Sequence, residues 1–413
     1  MRTILTCFLA LVQSISYSQN KFQIILDSGK KEFKAQFIEF NPDYDKALKL
    51  FKEAASIKPN DPEAEYFLGY ALDKINMLHG MDSVDRKLTE ESSYHMELVN
   101  KLQPRYTGEY MLLDPYSKLT ANWGSLAFSY LIKGQVDSAK WAFKEGKKRG
   151  GFINAILESN RQLLNSCKNN SIVVTVGDNE TFPCYYLQYI ENFRPDLTVI
   201  DGNLIATEWY AKWLKKDKDV KLTYSDSEID TLYYQEWKPT LITIYNPDDV
   251  KEKLEWELKP TYYGYISNGD KVMLDIVRNY LYKKPIYFTQ SSDSSTNLFL
   301  DNFLHPDGVV KYIDPHLDQS KVLNIISPNL FHYSLKNVSQ IELINSKDAV
   351  LNFNIIRLVY LVTGINLFEN GKEAKAKEIL NEMDNRFPTN ILPFPNEEGE
   401  KFYHDVKAAV YNL

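Results

Sequence analysis

Cysteine is nearly missing from this chain: three residues in 413, at positions 7, 167 and 184. That scarcity excludes a disulfide-built scaffold. Cys167 and Cys184 flank the predicted strand Ser171–Val176 at its opposite ends, about 20 Å apart at ~3.3 Å per residue. A disulfide needs Cα atoms within about 7 Å, so two buried free thiols are expected. Histidine is also scarce, at six residues, and no HExxH-type pair occurs. A GxSxG elbow and a glycine-rich phosphate loop are missing too, which leaves the common zinc-hydrolase, serine-hydrolase and P-loop chemistries without their residues. His305 beside Pro306 and His316 after Pro315 stand isolated and suit turns. After the first dozen residues no run is apolar enough to span a bilayer. The net charge of −7 comes without a Lys/Arg block, which argues against a nucleic-acid partner. No metal and no cofactor is implied.

What is present begins with an address. Arg2 supplies a short basic region, Ile4 to Val12 an apolar core, and Ser16-Tyr17-Ser18 small residues at a cleavage site. This predicts a signal peptide over 1–18 and an exported chain, periplasmic or secreted, that starts at Gln19. Aromatics make up 13% of the sequence, with 28 Tyr. Such a content suits packed helical repeats or a surface that contacts sugars or peptides, packing being the commoner cause.

From Pro42 the pattern is helical, with a signature recurring at about 34 residues. Ala47, Phe51, Ala54 and Pro59 fall where a tetratricopeptide repeat places small, aromatic, small and proline residues, and Leu68, Gly69 and Leu72 fit the next helix. A fuller copy runs through Trp123, Leu126, Ala127, Tyr130, Gly134, Ala139, Phe143 and Gly146. Another lies near the C-terminus: Tyr360, Gly364, Leu367, Gly371, Ala376, Leu380 and Pro388. Small residues are needed where helices cross closely, and aromatics fill the groove between neighbours. The chain therefore resembles the tetratricopeptide repeat family, with the period broken between Gly80 and Lys118, where at least one helix, 91–102, is expected.

The stretch Ser171–Trp209 reads as strand, polar loop, helix, strand, polar loop, helix. Ile172–Val176 is a β-branched run suited to a strand buried on both faces. Thr181 or Asn179 can cap the next helix, with Pro183 in its first turn. Leu197–Ile200 forms a second strand, and a crossover of this length is parallel. Further on, strands are expected at 220–224, 241–245, 285–289 and 309–313, and helices at 248–256 and 270–282. The fold class is therefore α/β: a Rossmann-like, mostly parallel sheet flanked by tetratricopeptide-type helical hairpins at both ends. The expected domains are helical repeats over 19–165, the α/β domain over 166–335 and a C-terminal helical repeat over 336–413.

Both polar loops leave the carboxyl ends of neighbouring parallel strands, where ligands of open α/β sheets sit. Asp178, Glu180 and Asp201 can form a carboxylate cluster there, fit for acid–base work or for binding. Asn179, Thr181, Asn203 and Thr207 add amides and hydroxyls suited to sugar hydroxyls, and Trp209 can stack on a sugar or peptide face. Aspartate and asparagine after a strand also cap helices and order turns, which is the commoner role. Capping, ligand binding and catalysis all stay open on the sequence.

The blocks GDNETFPCYYLQ, RPDLTVIDGNL and TEWY, followed by KKPIYFTQ, LFLDNFL and RFPTNILPF, resemble a bacterial membrane family. They are similar to the extracytoplasmic C-terminal region of protein O-mannosyltransferase-like glycosyltransferases, over roughly residues 119–393. The transmembrane catalytic module of that family has no counterpart here, and His305-Pro306-Asp307-Gly308 departs from its usual turn. The resemblance thus implies an accessory periplasmic domain without the enzyme. The expected function is a non-enzymatic binding or scaffold protein of the cell envelope, holding a peptide or glycan during envelope or glycoprotein assembly. A protein or peptide partner would meet the helical repeats, and a glycan is a further candidate. The alternative is an enzyme acting on envelope glycans through an Asp/Glu pair at the strand ends.

Overall fold

Aspartates start four of the first helices. The structure, a computed structural model, describes residues 19–35 and 43–411; the expected signal peptide, 1–18, lies outside the described residues. Helix α1 covers 19–34. Asp43, Asp61, Asp85 and Asp114 each accept a backbone N–H at the starts of α2 (Tyr44–Ile57), α3 (Pro62–Asn76), α4 (Arg86–Leu102) and α5 (Pro115–Ile132). Proline at the first position of α3 and α5 completes the start signal. Helix α6 is Val136–Lys148. The chain divides into two units, the first ending at Phe152 and the second beginning at Ile153.

In the first unit the small residues mark close helix crossings. A Cβ on Gly69 would lie 2.7 Å from the Met96 side chain, and the Ser92 hydroxyl donates to the Gly69 carbonyl at 2.8 Å. A Cβ on Gly146 would lie 2.5 Å from Cβ of Trp123. Phe33, Phe51, Phe67, Tyr66 and Tyr70 fill the core between the helices. Two of these tyrosines also use their polar ends: Met111 N–H donates to Tyr66 Oη at 2.9 Å and Leu113 N–H to Tyr70 Oη at 2.8 Å. The loop before α5 is therefore tied to α3 through its backbone, which would otherwise be left unpaired.

The second unit opens with α7 (Asn154–Ser166), β1 (Ile172–Thr175), α8 (Asp178–Glu191), β2 (Thr198–Asp201) and α9 (Glu208–Asp217). Then come α10 (Asp226–Ile229), β3 (Gln235–Glu236), β4 (Thr240–Tyr245), β5 (Lys253–Leu258), β6 (Tyr265–Ile266), α11 (Asn268–Tyr280) and β7 (Ile286–Thr289). It closes with β8 (Leu304–Asp307), β9 (Val310–Ile313), α12 (Gln340–Asn345), α13 (Lys347–Glu369), α14 (Glu373–Arg386) and α15 (Glu397–Tyr411). The largest sheet has the order β2-β1-β7-β9-β8. Strands β2, β1 and β7 are parallel, pairing Thr175 with Asp201 and Val174 with Phe288. Strands β9 and β8 are antiparallel to their neighbours. The chain is thus α/β overall, but its sheet is small and mixed, not mostly parallel.

Three further expectations need correction. Residues 220–224 form no strand. The segment expected as a helix over 248–256 instead carries β5, which pairs antiparallel with β4 in a separate ladder. Along β5 burial alternates, with Leu254, Trp256 and Leu258 inside, so a two-residue period overrides its helix-favouring Lys and Glu. The third concerns apolar runs: α13, at 23 residues with hydropathy 1.5, is long and apolar enough to cross a membrane by length and composition. Half of that window is buried inside the protein. Asn354 and Arg357 lie on its buried side and α13 packs on α7, α14 and α15, as a central core helix does. A Cβ on Gly364 would come 2.7 Å from the Leu380 side chain, the close crossing of α13 and α14.

Cys167 and Cys184 are free and buried. Burial pushes both thiols above their usual range, so they are inert packing groups.

Candidate functional site

At the carboxyl end of β1 the chain turns through Gly177, whose φ of 82° is a region glycine occupies without strain. Gly177 is the N-cap of α8 and no side chain caps that helix, so neither Asn179 nor Thr181 takes the capping role open to it on the sequence. Both lie within the first turn, with Asp178 and Glu180. The four side chains then diverge.

Thr181 turns toward the sheet. Its hydroxyl donates to Asp201 Oδ2 and lies 2.8 Å from the Thr175 hydroxyl. Asp201 Oδ1 accepts the backbone N–H groups of Asn203 and Leu204, each at 2.8 Å. Asp201 is therefore consumed by the turn it begins. Burial raises its pKa, with these donors opposing.

Glu180 turns toward a small cavity. Oε2 accepts from Val176 N–H at 2.9 Å and from the Thr289 hydroxyl at 2.8 Å, while Oε1 accepts from the Ser291 hydroxyl at 2.5 Å. The carboxylate is thus held across the ends of β1 and β7, with burial raising its pKa and the nearby Asp201 adding to the rise. Glu180 lines a cavity of about 30 Å³, room for a water or two, together with Asn160 and Leu163 of α7 and Ile356 of α13. Gln290, Ser291 and Ile355 are shared by this cavity and a larger groove of about 490 Å³. Leu358, Val359 and Val362 of α13 form one wall of the groove, and Pro306, Val322 and Ile325 contribute to the others.

The eight residues singled out in the sequence are therefore not one constellation. Glu180 lines the cavity, and Thr181 and Asp201 are locked into the wall behind it. Asp178 is half-exposed at the first position of α8. Asn179 has a buried Oδ1 with no hydrogen-bond partner among the described residues. Asn203 is exposed, Thr207 turns its hydroxyl back to the Leu204 carbonyl at 2.7 Å, and Trp209 meets Tyr210 edge-on at 5.6 Å. None of these last three lines the cavity at Glu180. Sequence reasoning missed Thr289, Gln290 and Ser291, although β7 is the third parallel strand and its polar loop leaves by the same edge. The α13 wall carries no local signal, since its place beside the sheet is set by tertiary packing.

Asp201 makes a pH prediction. Its folded pKa lies above the unfolded value of about 3.9, so the folded state takes up a proton more readily than the unfolded chain. The cost of ionisation is present in full above the folded pKa and is relieved as pH falls through it. Relative to Asp201→Asn, wild type should gain stability as pH is lowered from 7 to 4, read from urea midpoints. A wild-type loss relative to that variant would contradict the assignment. Asp201→Ala, which strands two backbone donors and a hydroxyl, should cost about 2–4 kcal/mol at neutral pH.

Residues 157–243 and 235–327 match the family described as TMEM260-associated domain 2. The match covers the region from within α7 to the segment after β9, less than half of the chain. It is similar to a family related to O-mannosyltransferase-like proteins, and so agrees coarsely with the glycosyltransferase-associated resemblance. No curated protein matches the chain.

Proposed function

We propose that this chain is an exported, non-enzymatic binding or scaffold protein of the bacterial cell envelope. It holds a peptide or glycan during envelope or glycoprotein assembly. In this reading the helices of the first unit are tetratricopeptide-type hairpins that meet a protein or peptide partner, and the second unit is a Rossmann-like domain whose strand-end edge takes the ligand. The observation that carries the reading is Glu180, an acceptor fixed by three donors in a small cavity that shares Gln290, Ser291 and Ile355 with an apolar groove. A peptide segment fits that chemistry, with apolar side chains against Leu358 and Val362 and a hydroxyl or amine near Glu180.

The test is fluorescence anisotropy with a labelled peptide of alternating Leu and Ser. Wild type should bind. Leu358→Asp, at a half-exposed position, and Glu180→Gln should each weaken binding about ten-fold, ~1.4 kcal/mol. Equal binding by all three, or none by wild type, would refute the groove. The enzymatic alternative draws on the raised pKa values of Glu180 and Asp201. Hydrolysis of envelope glycan by wild type, lost in Glu180→Gln, would put it in place of the binding reading.

A further inference from the structure

Away from Glu180, the second unit carries an unusual concentration of exposed tyrosine. Tyr233 and Tyr234 lead into β3, and Thr261-Tyr262-Tyr263-Gly264-Tyr265 leads into β6. Pairing of Glu236 with Tyr265 brings the two stretches side by side. Tyr263 is 88% exposed and Tyr233 71%, where soluble proteins normally keep such rings at least half covered. Tyr234 and Tyr262 stand with ring centroids 5.6 Å apart, and Tyr262 and Tyr263 with theirs 4.8 Å apart. The turn that presents them holds Tyr263 at φ 41° and Gly264 at φ 89°. A non-glycine residue there costs backbone energy that the aromatic display does not repay in packing.

Two of these rings, Tyr234 and Tyr262, border a pocket of about 190 Å³, the space of a single sugar ring. Tyr234 and Tyr262 form one side, Gly202 and Thr296 at the strand ends another, and Asp270 and Thr261 supply polar groups. Asp270 is oriented by its own neighbours: Oδ2 accepts from the Thr261 hydroxyl at 2.5 Å, Ser267 N–H at 2.6 Å and the Ser267 hydroxyl at 2.7 Å. Its other oxygen has no hydrogen-bond partner among the described residues. The pocket thus offers a fixed carboxylate acceptor beside aromatic faces. None of its lining residues is Lys or Arg, so nothing there would pair with a phosphate or carboxylate ligand.

We infer that this tyrosine-walled pocket is a glycan-binding subsite for one neutral pyranose ring. The ring's C–H face lies on Tyr234 and Tyr262, two hydroxyls reach Asp270 and Thr296, and the rest of the glycan runs over Tyr263. Tyrosine suits the task because it gives a large, rigid contact with a polar tip at low entropy cost. The inference rests on the binding reading above and names the glycan half of it, at a place separate from the Glu180 groove.

Saturation-transfer NMR on the full chain tests it, using methyl glucoside, galactoside, mannoside and N-acetylglucosaminide together with their tetrasaccharides. Wild type should receive transfer from at least one series, with the tetrasaccharide binding more tightly. Tyr234→Ala and Tyr262→Ala should each lower affinity ten-fold or more, and Asp270→Asn at least three-fold. The two tyrosines are exposed, so thermal midpoints should stay at the wild-type value, which separates lost binding from lost folding. Glu180→Gln should leave the sugar signal unchanged. No transfer from any pyranoside, or transfer undiminished in both tyrosine variants, overturns the subsite. Peptide binding that persists without sugar binding sinks this inference alone, whereas loss of peptide binding with sugar binding intact sinks only the groove.

Discussion

Asp73→Ala is expected to destabilise the first unit by about 3–5 kcal/mol, because it strands a buried cation. Asp73 and Lys118 are 8% and 5% exposed, and the Lys118 ammonium donates to Asp73 Oδ2. The same ammonium sits 4.7 Å above the Tyr70 ring. With its nitrogen turned toward Asp73, the Asn122 amide donates to Asp73 Oδ1 at 2.9 Å. The pair joins α3 to α5 and is the charged centre of a small polar network in an otherwise aromatic core. Its removal as a pair is a different matter. The double variant Asp73→Ala, Lys118→Met should recover most of the loss, since an apolar replacement carries no desolvation penalty. Hydrogen exchange across α3–α5 in the full chain gives the readout: the single variant should lose protection there and the double variant should regain it. Equal loss in both would mean that the side chains matter by shape alone.

How much of this was legible depends on the kind of signal. Close crossings were: Gly69, Gly146 and Gly364 stand where a Cβ would strike Met96, Trp123 and Leu380, and their spacing on the sequence implied as much. The parallel core was legible as well, since β1, β2 and β7 are short β-branched or aromatic runs closed by polar loops. The antiparallel edge was not. Val309–Ile313 reads as a strand, but its direction follows from β8 (Leu304–Asp307), which overlaps the turn-like His305-Pro306-Asp307-Gly308. The Asp307-Gly308 dipeptide was the available hairpin sign, with Gly308 at φ 75°. The site follows the same rule. Residues tied to their own strand end, such as Asp201, are visible in the sequence, and Asp201 spends its oxygens on Thr181 and its own turn. The groove wall on α13, more than 150 residues beyond β2, left no trace in local pattern.

That wall depends on Arg357, and the last large effect is expected there. Arg357 lies on α13 one residue before Leu358 and is 2% exposed, yet among the described residues no carboxylate pairs with it. Its partners are neutral: Nη1 donates to Asn354 Oδ1 at 2.6 Å, and Nη2 donates to the carbonyls of Phe387 at 3.1 Å and Leu392 at 2.7 Å. The guanidinium also lies 4.8 Å over the Phe394 ring. Burial lowers its pKa to about 10, so it remains charged at neutral pH. It acts as a clasp that draws the segment after α14 onto α13 and supplies the donors that the carbonyls at that helix end lack. Arg357→Ala should cost about 3–5 kcal/mol, from a cavity plus three stranded acceptors. Arg357→Lys keeps the charge but loses the planar fork, and should recover no more than half. Thermal midpoints measure the cost, and limited proteolysis near residue 390 should show the released segment. With α13 loosened, the Leu358 and Val362 wall shifts, so peptide binding in the groove should weaken alongside stability. Arg357→Met decides the mechanism, because it keeps the apolar stem and discards the charge. Stability at or above wild type would show that charge burial outweighs the three hydrogen bonds, and the clasp would have to be given up.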